Sequence, residues 1–342
     1  MLVTGAQGFL GRNVVSSWLG SRPSIRILGV GRSARLDETF TYDLRWGAHR
    51  VRAPLPPELR DVASDPRYAY EAVDLCDPDA VAAVLRTFSP DVIVHGASAL
   101  RDDPWQALFR SNVQSAITIA EALPASPVPS SRLVLVSSGS VYGATDPAHL
   151  PIGEAEPCVP LDLYAASKVA AEDVARILAF EHDVPLVRAR LFNLLGPGLQ
   201  DRHFAASLAG QIAATRRGIS AEPLQVGRLD TTRDFIDVRD ASEALLVLAE
   251  RATPGPDSVF NVASGLETPI QTVFDHLLRL GEIDPDRVER EREVPPRPAE
   301  IARSYADVRR ASGLGFQTAI DLADSLADML TYYETSVAVA GR

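Results

Sequence analysis

The chain has 342 residues, 46% of them hydrophobic, and a formal charge of −11 from 34 Lys and Arg against 45 Asp and Glu. That length predicts about two domains, or one large α/β domain with a lobe, and the acidic balance argues against a nucleic-acid partner. There is no run of 18 apolar residues to span a membrane and no signal-like N-terminal segment; two cysteines, Cys76 and Cys158, fit a reducing cytoplasm, and six scattered histidines lack metal-ligand spacing.

A very short strand opens the chain and leads into Thr4-Gly5-Ala6-Gln7-Gly8-Phe9-Leu10-Gly11, followed by the helical run Arg12–Leu19. Glycines at spacing three let a backbone turn tightly and approach a pyrophosphate, and the helix N-terminus behind them offers free N–H groups. The second strand, Ile25–Gly31, runs into Arg32-Ser33-Ala34-Arg35 with no acid before Asp37. An acid there usually takes the ribose 2′-hydroxyl of NAD. Arg32 is either a solvated loop residue or a partner for a 2′-phosphate, so NADP is favoured over NAD. Residues 36–69 read as a long, partly ordered insertion. Glu71–Leu75 is the third strand, with Asp74 placed either for an adenine amino group or as a turn cap. A helix over Pro78–Phe88 leads to the fourth strand, Asp91–His95. The small residues Gly96-Ala97-Ser98-Ala99 after it let a cofactor lie across the strand end. Pro104–Leu123 is a long helix whose Asn112 needs a partner if buried.

The apolar run Leu133-Val134-Leu135-Val136 reads as a buried parallel strand, broken at Ser137-Ser138-Gly139-Ser140-Val141-Tyr142-Gly143. On the helix Leu163–His182, Tyr164 and Lys168 lie one turn apart on the same face. A Lys cation beside a phenol lowers the phenol pKa from about 10. A serine at the strand end can hold a substrate oxygen against it, making a proton relay for a carbonyl or carbinol; the plainer alternative is a surface Tyr–Lys pair. A sixth strand, Leu186–Leu191, continues the alternation, which predicts an α/β chain with a doubly wound parallel sheet. Beyond it the elements shorten and proline becomes denser. Helices at Phe204–Arg217, Ala241–Arg251, Ile270–Leu280 and Leu322–Tyr333 are joined by a strand at Val259–Val262 and an extended loop at Pro295–Glu300. The expected division is a cofactor domain of residues 1–192, rejoined by 241–262, and a smaller C-terminal α/β substrate lobe of residues 193–240 and 263–335.

In their order, these motifs resemble the extended short-chain dehydrogenase/reductase family of nucleotide-sugar epimerases, dehydratases and reductases, across residues 1–335. The resemblance rests on T-G-x-x-G-F-x-G at 4–11, Asn112, Ser137-Ser138 before Val141-Tyr142-Gly143, Y-x-x-x-K at 164–168, R-x-F-N-x-x-G-P at 190–197 and R-D-F-I-x-V-x-D at 233–240. It implies a Rossmann-type fold, with Tyr164 as acid/base, Ser138 as its catalytic partner and Lys168 lowering its pKa while holding the nicotinamide ribose. The implied cofactor contacts are Gly5, Gln7, Gly8, Phe9, Leu10, Gly11, Arg32, Asp74, Leu75, Ala97, Asn112, Tyr164 and Lys168. Those to a nucleotide-diphosphate sugar are Ser138, Ser140, Asn193, Arg233 and Arg297, the two arginines suiting a diphosphate.

Within the family, residues 226–240 and 297–300 look most like the GDP-4-keto-6-deoxy-mannose reductases; the insertion at 36–69 and Gly139-Ser140 depart from them. Dehydratases of the family carry an acidic pair directly after the catalytic Ser or Thr, where this chain has Gly139 and Ser140. Asp146 and Glu154 are expected to be solvated. The implied reaction is NADPH-dependent reduction of the C4 ketone of a GDP- or dTDP-linked 4-keto-6-deoxy sugar. An NAD-dependent 4-epimerase and a non-catalytic dinucleotide-sensing regulator are the alternatives. The family also implies a homodimer through the helices Pro104–Leu123 and Leu163–His182, with Ala116, Ala120, Ala170 and Ala171 permitting close packing; the alternative is that these faces pack on the protein's own sheet.

Overall fold

Seven short strands form one parallel sheet, and their order sets where a ligand can bind. In the computed structural model, which describes residues 1–46, 49–128, 130–290 and 301–340, β1 (Leu2–Thr4) is an interior strand. On one side of it stand β2 (Ile27–Gly31) and, beyond a hairpin of β3 (Thr39–Trp46) and β4 (His49–Pro54), the edge strand β5 (Tyr68–Ala72). On the other side follow β6 (Val92–His95), β7 (Arg132–Ser138), β8 (Leu186–Leu191) and the strand Val259–Val262. The order therefore reverses between β1 and β6. In such sheets the crevice outside the strand ends at the reversal is where ligands bind.

Helices cover both faces, as a parallel sheet requires. On one face, α1 (Phe9–Ser21) packs beside α8 (Val238–Arg251); the fully buried Trp18 donates its indole N–H to Ser242 O at 3.0 Å. Truncating such an indole to alanine costs about 3–5 kcal/mol. On the other face lie α3 (Pro78–Phe88), α5 (Ser115–Ala122) and α6 (Leu163–Glu181). Asp77 caps α3 through the N–H groups of Asp79 and Ala80, and Asp162 caps α6 through that of Ala165.

Four expectations change. Residues 36–46 and 49–69 are not a partly ordered insertion. They hold the β3–β4 hairpin and the short helix α2 (Pro57–Arg60). Phe40, Leu44, Ala53, Leu55 and Leu59 are buried in one core with α7 (Phe204–Arg216), α9 (Ile270–Gly281) and α11 (Leu322–Ala340). The hairpin thus packs on α7, α9 and α11. The third sheet strand is β5, upstream of the expected Glu71–Leu75, because Tyr68–Ala72 matches Ile27–Gly31 in register and the chain turns at Asp74. The expected helix Pro104–Leu123 is α4 (Trp105–Leu108) and α5 with a wider π turn, Phe109–Gln114, between them. Finally, Ala116, Ala120 and Ala171 pack on the protein's own sheet and are not free for a partner.

Candidate active site

Ser138, Tyr164 and Lys168 meet at the end of β7. The Ser138 hydroxyl oxygen accepts from Ser140 N–H at 3.2 Å and from the Ser140 hydroxyl at 3.0 Å. Two acceptor positions are then used, and the remaining proton of Ser138 is the one that meets the Tyr164 hydroxyl. Such a donor stabilises the phenolate and leaves the phenol's own proton for a third oxygen. Lys168 is buried; its Nζ donates to Val136 O at 3.1 Å and lies 6.0 Å from the centroid of the Tyr164 ring. Burial lowers the Lys168 pKa to about 8, against an upward pull from Glu172. The phenol itself differs from expectation. Burial raises the Tyr164 pKa, outweighing the downward pulls of Ser138 and Arg101. Desolvation of an anion is costly enough to reverse the sign expected from a neighbouring cation.

Glu172, one turn beyond Lys168, is buried and accepts from Ser137 Oγ, from Arg190 Nε at 3.0 Å and Nη2 at 2.7 Å, and from Arg188 Nη1 at 3.5 Å. Removing either side of this group would leave an uncompensated buried charge. Arg190 also lies 4.8 Å over the Tyr142 ring.

The glycine loop sits at the sheet reversal. Gly5 has φ +68°, and a Cβ there would meet Ala97 Cα of the β6 end at 2.9 Å, so only glycine closes this approach. Gly8 stands at the N-cap of α1, which has no side-chain cap and no acid in its first turn. Its free N–H groups and positive dipole end fit a pyrophosphate. Arg32 is exposed at the end of β2 and makes no hydrogen bond or ion pair among the described residues.

Other residues of the expected cofactor set also make contacts within the protein. Gln7 donates to Ala34 O at 2.9 Å and accepts from Leu36 N–H, fastening the loop after β2 to the glycine loop. Asn112, in the π turn, accepts from Ala99 N–H at 2.8 Å and Ser98 Oγ at 2.9 Å and donates to Ser167 Oγ at 2.8 Å. It ties the β6 end to α6 beside Lys168. The Asp74 carboxylate accepts from Cys76 N–H at 3.0 Å and pairs with Arg110 at 2.5 Å. The Leu75 side chain is in the core, Leu10 packs against the core between α1, α8 and the sheet, and the Phe9 ring faces Phe40 of the hairpin at 6.4 Å.

With this geometry in view, the comparisons have a direct meaning. A family model described as NAD dependent epimerase/dehydratase family matches residues 1–263. The chain belongs to that family. It is 33% identical over 278 residues to a GDP-6-deoxy-D-mannose reductase of Pseudomonas aeruginosa, covering 77% of this chain and 86% of that protein. It is 30% identical over 348 residues to a UDP-glucose 4-epimerase of Mycolicibacterium smegmatis, covering 97% of each. The solved structure of RMD from Pseudomonas aeruginosa complexed with NADPH shares the fold with a TM-score of 0.75 at 26% identity, over 98% of this chain and 99% of that one.

Asn193 donates from Nδ2 to Asp234 O at 2.8 Å, bringing it beside Arg233. The Asp234 carboxylate, fully buried, gathers the N–H groups of Ser264, Gly265 and Ala306 and the Ser264 hydroxyl. Arg297 lies outside the described residues. Glu154 is not simply solvated as expected. It is half-buried, accepts from Asn261 N–H at 2.9 Å, and burial raises its pKa. Asp146 caps the turn at Pro147–His149. Sequence reasoning missed Arg101, Glu172 and His95, whose partners lie far away in the chain. Among the described residues no His, Cys, Asp and Glu group is placed to hold a metal, and no helix is long and apolar enough to cross a membrane.

Proposed function

We propose that this family member is an NADPH-dependent reductase acting on the C4 ketone of a GDP- or dTDP-linked 4-keto-6-deoxy sugar. The observation that carries the reading is the surroundings of position 139. A Cβ on Gly139 would meet the Phe192 ring at 2.8 Å, and Ser140 is turned back onto Ser138. An acid directly after the catalytic serine has no room, so the site lacks the group that protonates a departing C6 hydroxyl. The 33% identity to the reductase from Pseudomonas aeruginosa points the same way.

In this reading Ser138 and Tyr164 hold the ketone oxygen and Tyr164 gives it a proton. Lys168 keeps the nicotinamide ribose and the phenol in register, Arg233 and Arg297 take the diphosphate, and Asn193 lines the sugar. Bound NADPH supplies the hydride; the chain supplies alignment and the proton. Arg32 favours the 2′-phosphate of NADP, with NAD as the lesser alternative. The test is a panel of 4-keto-6-deoxy nucleotide sugars with NADPH absorbance followed at 340 nm. Stoichiometric NADPH consumption supports reduction, whereas loss of water from an intact hexose nucleotide refutes it. The second reading, a 4-epimerase, is favoured by the 30% identity to the Mycolicibacterium smegmatis epimerase. It requires sugar interconversion with no net cofactor consumption.

The same reading includes a homodimer. Trp105 and Phe109, one turn apart on α4 and the π turn, are exposed, and so are Ile177 and Phe180 on the neighbouring α6. Exposed aromatic groups on two adjacent helices suit an isologous interface. Light scattering at micromolar concentration should give twice the chain mass; a monomer there counts against it.

A further inference from the structure

The loop after β6 brings a cation to the catalytic tyrosine from outside every motif. The guanidinium carbon of Arg101 stands 5.7 Å from the centroid of the Tyr164 ring. Its Nη1 is 2.9 Å from Asp162 Oδ2. Asp162 is itself fixed, because its Oδ1 accepts from Ala165 N–H at 2.8 Å and caps α6 two residues before Tyr164. The guanidinium is therefore anchored by the same helix turn that presents the phenol. The groups facing Tyr164 are Ser138 from β7, Lys168 and Asp162 from α6 and its cap, and Arg101 from the β6 loop. Behind Arg101 lie Asp102 and, at the start of α7, Arg202 and His203.

We propose that Arg101 is a positioning residue for catalysis, holding a permanent positive charge against the Tyr164 ring so that the phenol can release its proton to the substrate oxygen. The inference rests on Tyr164 being the proton donor. Losing the proton turns a neutral ring into an anion, and a cation within ~6 Å interacts far more strongly with the anion. Burial opposes that ionisation, so a compensating cation matters more here than on an open surface. Arg101 lowers the Tyr164 pKa, and the nearby Asp162 raises it by less. The two cations are not equivalent. Lys168, with a pKa near 8, gives up its charge as pH rises, whereas a guanidinium stays charged throughout.

The test titrates the phenol directly and needs no substrate. Full-length protein is prepared with 3,5-difluorotyrosine in place of tyrosine, which ionises near neutrality, and Tyr164 is assigned by its loss in Tyr164→Phe. Fluorine NMR then follows its ionisation in the parent, Arg101→Gln and Arg101→Lys. The expected result is a midpoint raised by about one pH unit in Arg101→Gln, the lower end of the range for a nearby cation because Arg101 is half-exposed, with most of the shift recovered in Arg101→Lys. Coincident midpoints in all three proteins overturn the proposal, even if Arg101→Gln is less stable or binds NADPH more weakly. Those changes alone would assign Arg101 to the helix cap or to ligand binding. If the proteins reduce no 4-keto sugar, the reaction assigned above fails while the midpoints still decide the role of Arg101.

Discussion

His95 stands under the cofactor crevice with both ring nitrogens bonded, and its protonation should be visible as a pH dependence of stability. Ser115 Oγ donates its own proton to Ser111 O at 2.7 Å, so its bond with His95 Nε2 at 3.0 Å must receive the ring N–H. Thr4 Oγ1 accepts from Ala97 N–H at 3.0 Å and gives its proton to His95 Nδ1 at 2.8 Å. This chain of bonds fits one neutral tautomer; a second ring proton would require the Thr4 hydroxyl to turn its own proton away from Nδ1. Burial, with Lys168 adding repulsion, lowers the His95 pKa from 6.5 to about 3. The unfolded chain therefore takes up the proton first. The stability conferred by a neutral His95 is complete above pH 6.5 and is lost as pH falls toward 3. At pH 5, 1.5 units below the ordinary value, the loss is about 2 kcal/mol. His203, lowered to about 4 mainly by burial, contributes a loss of similar size. Carboxyls raised by burial, such as Asp234 and Asp240, act in the opposite direction but do so equally in parent and variant. Urea unfolding at pH 7.5 and pH 5 should show His95→Gln losing about 2 kcal/mol less than the parent over that interval. The absolute stability of the variant does not enter this difference. Equal losses in the two proteins would refute the argument.

Three further outcomes follow from the site and the hairpin. Tyr164→Phe should bind NADPH as the parent does, by fluorescence titration, while turnover falls by ~10²–10⁴, the usual consequence of losing a general acid; parent-like turnover removes Tyr164 from the chemistry. Arg32→Asp should reverse or erase a preference for NADPH over NADH, and a parent that binds NADH more tightly ends the 2′-phosphate reading. Phe40→Ala removes a fully buried ring stacked on Tyr42 at 5.1 Å and should destabilise the chain by about 3–5 kcal/mol in urea, where a loss under ~1 kcal/mol would mean the hairpin is not a core element.

The sheet half was legible because strands buried on both faces leave uninterrupted apolar runs, as at Leu133–Val136, and because glycine spacing at 5, 8 and 11 has a direct steric meaning. The hairpin was not read, although Phe40, Tyr42 and Leu44 alternate with Thr41, Asp43 and Arg45 in the period of a half-buried strand. What those residues face explains the miss. Tyr42 donates to Gly198 O, and Tyr332 donates to Pro54 O at 2.9 Å, across 156 and 278 residues of chain. The small faces of α5 and α6 left two readings open for a related reason: such a face states that something approaches closely, not which body approaches, and Ala116, Ala120 and Ala171 pack on the protein's own sheet.

The polar residues of the motifs give a sharper rule. Gln7 and Asn112 were read as cofactor contacts, yet most of their hydrogen-bonding capacity is used between protein segments. Ser138 lies in the same kind of motif. It spends both acceptor positions on Ser140 and directs its remaining proton to the tyrosine. A motif fixes which side chain stands at a strand end or helix turn. Whether that side chain meets a ligand or braces a loop depends on how many of its donors and acceptors the rest of the chain has already taken. Arg101 has no motif, but its anchor Asp162 leaves the guanidinium beside the Tyr164 ring with its side chain half exposed. By this accounting Arg101 can act at the tyrosine, whereas Asn112, with its amide oxygen and nitrogen both engaged, holds the loop and helix in place.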